Sequence, residues 1–331
     1  MTQATPKTAN VTRILASIAM IGVGVLGFGG SAFARPLRIA LQPFLSYAPT
    51  FVALDKGYFR DEGLDVKTTM IRGGGTATFN ETVSGAVDIG SGAITASLLN
   101  AVIKGTKLKV IAGKGEVRKG YSTNELWITR ALYNSGVRTP LGLRGKTVAT
   151  AGPGSSDWTM LGMMLAKYGL SLAKGDVLAA QLPGPERPLA LENGTVAGAI
   201  LVEPFIASVN RAKAVRLMRI TDVVPVFQTA VFYTTAAFLH KHHNAVQKFL
   251  AALRKATAEY MKDPKSPEML QILSKYTKVK ISILKQATPA YFSLDGKVNA
   301  PAIRRQIAFL YANHLISRQV PLKDFISKGA M

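Results

Sequence analysis

The chain has 331 residues and no cysteine. Disulfide staples are therefore excluded, and hydrophobic burial must hold the fold together. A lipid-modified N-terminal cysteine is excluded by the same absence. Acidic residues are few, with 19 Asp and Glu against 41 Lys and Arg, and the formal charge is +22. Long apolar runs are also scarce, and after residue 34 no stretch resembles a membrane span. Such a charge concentrates anions near the surface. No basic-aromatic recognition pattern accompanies it, so nucleic acid is not an expected partner. At 48% hydrophobic residues the chain is not disordered.

The apolar run that does exist lies at the start. Met1 to Arg13 is polar and carries Lys7 and Arg13 without an acid. Ile14 to Gly30 has no charge, and Ser31-Ala-Phe-Ala34 puts small residues at the positions a signal peptidase reads. These are the three parts of a secretory signal peptide, with cleavage expected after Ala34. Gly22, Gly24, Gly27, Gly29 and Gly30 disfavour a stable spanning helix. The expected product begins at Arg35 in a periplasm, without membrane insertion.

From Leu37 onward strands and helices alternate. Strand patterns cover 37–42, 64–71, 87–91 and 108–112, with helices at 49–56, 76 onward and 94–103. Thr76 is placed to cap the helix after the Arg72-Gly-Gly-Gly75 loop. The pattern restarts with strands at 146–151, 177–182, 196–202 and 215–220 and a helix over 155–168. Beyond a strand at 231–235 the chain is mostly helical. Strands separated by single helices imply parallel sheets covered on both faces.

Several segments match one family in order. Ala53-Leu-Asp-Lys-Gly-Tyr-Phe-Arg-Asp-Glu-Gly-Leu-Asp-Val66, Gly85-Ala-Val-Asp-Ile-Gly90, Ala101-Val-Ile-Lys-Gly105, Leu143-Arg-Gly-Lys-Thr-Val-Ala149 and Leu191 to Pro204 are the segments concerned. Together they resemble the substrate-binding proteins of ABC importers for nitrate, sulfonates such as taurine, and thiamine pyrimidine precursors. The resemblance implies a type II periplasmic binding protein fold: two α/β lobes, a two-segment hinge and a ligand cleft between them. Lobe 1 would be 35–127 and 232–331, and lobe 2 would be 128–231. It also implies a small-molecule ligand, an ABC permease with its ATPase as partners, and a monomer. No cofactor and no turnover are expected. Ser, His and Asp are not arranged by any motif into a catalytic triad. His240, His242 and His243 sit at a helix start and read as surface residues rather than metal ligands.

Ligands in open parallel sheets sit beyond the carboxyl ends of the strands. That rule selects Gln42 and Tyr47 after the first strand, and Gly74 and Thr76 after the second. Ser91, Gly92 and Ala93 follow the third. In the second lobe it selects Ser155, Ser156, Asp157 and Trp158 after a glycine loop, and Glu203 at a strand end. Helix starts here offer N–H groups to an anion. Trp158 could stack on a flat ligand or pack in the core. The expected ligand is a small organic anion or zwitterion. A flat heterocycle is the alternative ligand, and a periplasmic sensor the alternative role.

Overall fold

The computed structural model describes residues 1–2, 35–71 and 74–331. The expected signal peptide lies outside the described residues, save 1–2. Among the described residues no helix is long and apolar enough to cross a membrane.

Twelve strands are described. In the first half, β1 is Leu37–Leu41, β2 is Val66–Met70, β3 is Gly90–Gly92, β4 is Leu108–Gly113, β5 is Glu116–Arg118 and β6 is Asn124–Thr129. Then β7 is Thr147–Thr150, β8 is Leu178–Gln181, β9 is Gly198–Val202, β10 is Ala214–Arg219, β11 is Val226–Gln228 and β12 is Val231–Thr235. The first lobe runs β2-β1, then β3-β12-β4, with Ile39 bridging Ile89 to join the two pieces. The second lobe runs β8-β7-β9-β6-β10. Each set holds one strand antiparallel to its neighbours, β12 in the first and β6 in the second.

Those two strands are exchanged between the halves of the chain. The chain crosses to the second sheet after β4 and returns to the first before β12. The crossing strands β5 and β11 pair antiparallel, Glu116 with Gln228 and Arg118 with Val226. The expected lobe boundary after residue 127 falls inside β6. All of β6 pairs with β9 or β10, so the outward crossing is earlier, at β5. The expected return after 231 likewise falls inside β12, which pairs throughout with β3 and β4.

The central strands of both sheets are buried on two faces, which is why they read as apolar runs, while the edge strands β2 and β8 are largely open. In the first lobe Leu37, Ile39 and Leu41 face the helices Ala48–Asp55 and His243–Lys262. The second of these is amphipathic: Val246, Phe249, Leu253, Ala256 and Tyr260 recur every three or four residues and are buried. Phe249 stacks on Phe59 with centroids 5.5 Å apart and meets Phe232 edge-on. In the second lobe Leu126 and Ile128 join Met160 and Met164 on one face, and Trp127 joins Leu191 and Leu201 on the other. The helices expected at 49–56, 94–103 and 155–168 recur with modest shifts as Ala48–Asp55, Ala96–Ile103 and Ser156–Ala166.

Helix Ala300–Ala312 ties the halves together. Ile303, Ile307 and Leu310 enter the first core, while Phe309 packs on the second. Gly162 makes room for that ring, since a Cβ there would lie 2.4 Å from Phe309 Cζ. Gly162→Ala should therefore overpack this junction and destabilise the protein by about 1–3 kcal/mol. Urea unfolding checks this, and an unchanged midpoint would mean that the ring shifts without cost.

Candidate functional site

The carboxyl ends of the parallel strands in both lobes point toward one cleft. Among the described residues three contacts join the strand-end loops across it. Ala96 N–H donates to Gly154 O at 2.9 Å. Phe44 and Phe205 meet edge-on, with centroids 6.3 Å apart. Thr288 N–H, from the segment after helix Ile281–Gln286, donates to Glu203 Oε1 at 2.9 Å.

On the first lobe the structure brings Tyr47, Ser91 and Gly92 together. Tyr47 is fully buried on Phe51, at a ring separation of 6.0 Å. Its hydroxyl accepts from Ser91 Oγ at 2.7 Å. Burial pushes the Tyr47 phenol well above its ordinary range, so it keeps its proton. Gln42 is buried beside it in sequence and turns its amide toward Thr78, 3.4 Å away. Helix Gly74–Val83 begins at Gly74, and the backbone at Gly75 lies against Gly92. Thr76 is not the cap it was expected to be. The helix starts two residues earlier, which leaves Thr76 exposed in the first turn. Ala93 is half-buried, and Thr95 caps the helix that follows, accepting from Leu98 N–H at 3.2 Å.

A residue outside the sequence-derived set completes this cluster. Lys114 follows β4 and is 2% exposed. Its ammonium lies 3.0 Å from the Tyr47 ring centroid and donates to Ser91 Oγ at 3.1 Å. Burial drives its pKa well below the ordinary lysine range. The signal for it was present in the sequence: Gly113-Lys-Gly115 stands at a strand's carboxyl end, where the same rule applies.

On the second lobe, Ser155 caps helix Ser156–Ala166 by accepting from Trp158 N–H at 3.1 Å. Ser156 is half-buried in its first turn. Gly152 and Gly154, at φ of +100° and +73°, shape the loop before the cap. The Asp157 carboxylate is taken by Arg187 Nη1 at 2.6 Å. Arg187 is itself buried and also donates to Leu182 O and Ile200 O. Trp158 is 5% exposed, with its ring 6.1 Å from that of Phe309. The bonds of Asp157 and the packing of Trp158 thus turn inward. Glu203 is 2% exposed and also accepts from Ala207 N–H at 3.2 Å. Burial raises its pKa to about 7 against those two donors.

The arrangement offers backbone N–H groups, hydroxyls and one buried amine on opposed loops. This is equipment for holding a small polar molecule. Among the described residues no group of histidine and acid side chains could hold a metal ion.

Comparison with known proteins agrees with the architecture. The model of the NMT1/THI5-like family matches residues 45–266, more than half of the chain, and the chain belongs to that family. The alkanesulfonate-binding protein SsuA of Xanthomonas axonopodis pv. citri, solved bound to MOPS, is structurally similar. Its TM-score is 0.70 at 19% identity, covering 88% of this chain and 98% of that one. The periplasmic aliphatic sulphonate binding protein SsuA of Escherichia coli gives 0.70 at 20% identity, covering 88% and 92%. The periplasmic nitrate-binding protein NrtA of Synechocystis PCC 6803 gives 0.64 at 17% identity, covering 75% and 68%. No curated protein sequence matches. The fold is that of the type II periplasmic binding proteins.

Two outcomes follow for the buried charges. Arg187→Met strands the Asp157 carboxylate and should cost about 3–5 kcal/mol in urea unfolding. A loss well under that would mean water reaches the carboxylate. Glu203 holds its proton to a higher pH in the folded state than in the unfolded one. Its contribution is thus fully present below the unfolded carboxylate range and lost as pH rises toward about 7. Relative to Glu203→Gln, the wild type should lose up to about 3 kcal/mol between mildly acidic and neutral pH. Parallel pH–stability curves for the two proteins would contradict the assignment.

Proposed function

We propose that the protein is the substrate-binding subunit of an ABC importer, acting in the periplasm after signal-peptide cleavage behind Ala34. It captures a small organic anion or zwitterion between its lobes, closes on it and hands it to a membrane permease driven by an ATPase. Binding is reversible and without turnover, and the protein acts as a monomer. The observation that carries this reading is the meeting of strand-end loops from the two lobes, at Ala96–Gly154, Phe44–Phe205 and Thr288–Glu203, with the buried Tyr47–Ser91–Lys114 cluster behind the first-lobe loops. The family match and the likeness to sulfonate- and nitrate-binding proteins support the same reading. The alternation of loaded and empty shapes would come from hinge motion at β5 and β11.

The ligand contacts proposed are Tyr47, Gly74, Ser91, Gly92, Ala93, Ser155 and Ser156. Gln42 and Thr76 border them, and Asp157, Trp158 and Glu203 support the second-lobe loops from behind. Affinity in the micromolar to sub-micromolar range, roughly −8 to −10 kcal/mol, is what such a cleft provides.

A thermal-shift screen of Arg35 to Met331 tests the proposal. Its panel holds taurine, alkane sulfonates, nitrate, bicarbonate, aromatic carboxylates and pyrimidines. A ligand bound only by the native state must raise the melting temperature. The closure contact can be tested on the same ligand. A Cβ at Gly154 would lie 2.6 Å from Ala96 Cβ. Gly154→Val should therefore weaken binding by at least about tenfold, or roughly 1.4 kcal/mol. Undiminished affinity in that variant, or no shift with any compound, would count against ligand capture by lobe closure.

A further inference from the structure

Lys114 is a buried amine with no carboxylate beside it. Its amine is enclosed by the Tyr47 ring at 3.0 Å, the Phe232 ring at 5.8 Å and Ser91 Oγ at 3.1 Å. No carboxylate among the described residues pairs with it, and desolvation alone governs its titration. An ammonium has three N–H donors. Ser91 takes one and the aromatic face attracts the cation, which still leaves donors unmatched.

The groups around it do not supply the missing charge. Tyr47 and Tyr233 are buried phenols held in the neutral form. Glu116 is engaged by Arg118 at 2.8 Å. A cavity of about 40 Å³ reaches Lys114, and it is also lined by Arg254, a cation, and Asp295. Asp295 accepts from Ser293 Oγ and Lys297 N–H. The Tyr233 hydroxyl is buried without a hydrogen-bond partner. It lies near Gly92, where a Cβ would be 3.3 Å both from that hydroxyl and from Gly75 Cα. A buried polar group left unpaired in a native protein calls for an explanation, and a functional role is one. Here such groups cluster with the first turn of helix Gly74–Val83, a ten-residue helix whose N-terminus favours negative charge.

We propose that Lys114 supplies the counter-charge for the anionic head group of the bound ligand, with its oxygens taking the N–H donors that Ser91 leaves. This rests on the import reading and narrows it: the ligand carries a sulfonate, carboxylate or nitrate-like group into the first lobe. A buried ammonium is relieved either by losing its proton or by gaining an anion, so the two events are linked. Anion binding carries a proton onto the amine, and affinity falls as pH rises past the point where the free amine deprotonates. The limit is about tenfold per pH unit.

The test is a titration of Lys114 itself in the wild-type chain labelled with 13C at lysine Cε. Its signal is assigned by its disappearance in Lys114→Arg, which keeps the charge. The titration is run without addition, then with about 20 mM ethanesulfonate, acetate or nitrate, and with ethyl methyl sulfone as a neutral control. The expected result is an upward move of the midpoint by about one pH unit or more with at least one anion, and none with the sulfone. A midpoint unmoved by all three anions, or moved equally by the sulfone, overturns the proposal. This outcome is distinct from failure of the import reading, which shows as no melting shift with any compound of any class.

Discussion

One buried amide holds the two crossings of the chain in place. Gln228, at the end of β11 and 1% exposed, donates through Nε2 to Gly115 O and Ala230 O, each at 2.9 Å. Its Oε1 accepts from Asn299 N–H at 2.7 Å, and its backbone carbonyl accepts from Gln306. One side chain thus bonds the outgoing strand, the returning strand and the start of helix Ala300–Ala312. Were this amide unpaired, several backbone groups would be left dry and unsatisfied, and each would cost its desolvation. Everything on the cleft side depends on this junction, because the crossings set which loops of the two lobes face each other.

The site's buried ionisable groups differ in how they are compensated. Asp157 and Arg187 neutralise each other, and Arg187 also donates to two carbonyls, so the pair is internal support. Glu203 accepts from two backbone N–H groups, one from each side of the cleft. Lys114 has only a hydroxyl and ring faces. Where every charge is matched, burial is structural. Where one is not, the protein holds an electrostatic demand that a ligand can meet.

Much of this was legible in the sequence, for reasons particular to each element. The central strands β1, β4, β7, β9 and β12 are apolar runs, and the strands expected at 37–42, 108–112, 146–151, 196–202 and 231–235 match them to within two residues. Tyr47 and Ser91 emerged from the strand-end rule, which needs only local pattern. Strand β6 did not emerge. Leu126 and Ile128 face one core and Trp127 the other, so Asn124–Thr129 has no polar face to mark its period. Its one acid, Glu125, is buried by bonds to Trp127 Nε1 and Arg219. The lobe boundary that the resemblance implies after residue 127 falls inside this strand. Lys114 escaped for another reason: a lysine between glycines reads as exposed, and its burial is imposed by Tyr47 and Phe232 from distant parts of the chain. Trp158 could not be resolved between stacking and core, because Phe309 comes from the far C-terminal helix.

The contacts that span the cleft also constrain how closure can work. They are a backbone hydrogen bond at Gly154, a carboxylate bond at Glu203 and an edge-on aromatic pair. Each such bond contributes about 1 kcal/mol net, and an aromatic pair about as much. That sum is comparable to the balance between two conformations of a hinged protein. Direct contacts at the strand-end loops are thus few, while helix Ala300–Ala312 joins the lobes through Phe309 away from those loops. An anion meeting Lys114 from the first lobe and the Ser155 loop from the second would act on both lobes at once. A transporter that must tell loaded from empty needs a shape that changes with occupancy, and weak direct contacts across the cleft leave that decision to the ligand.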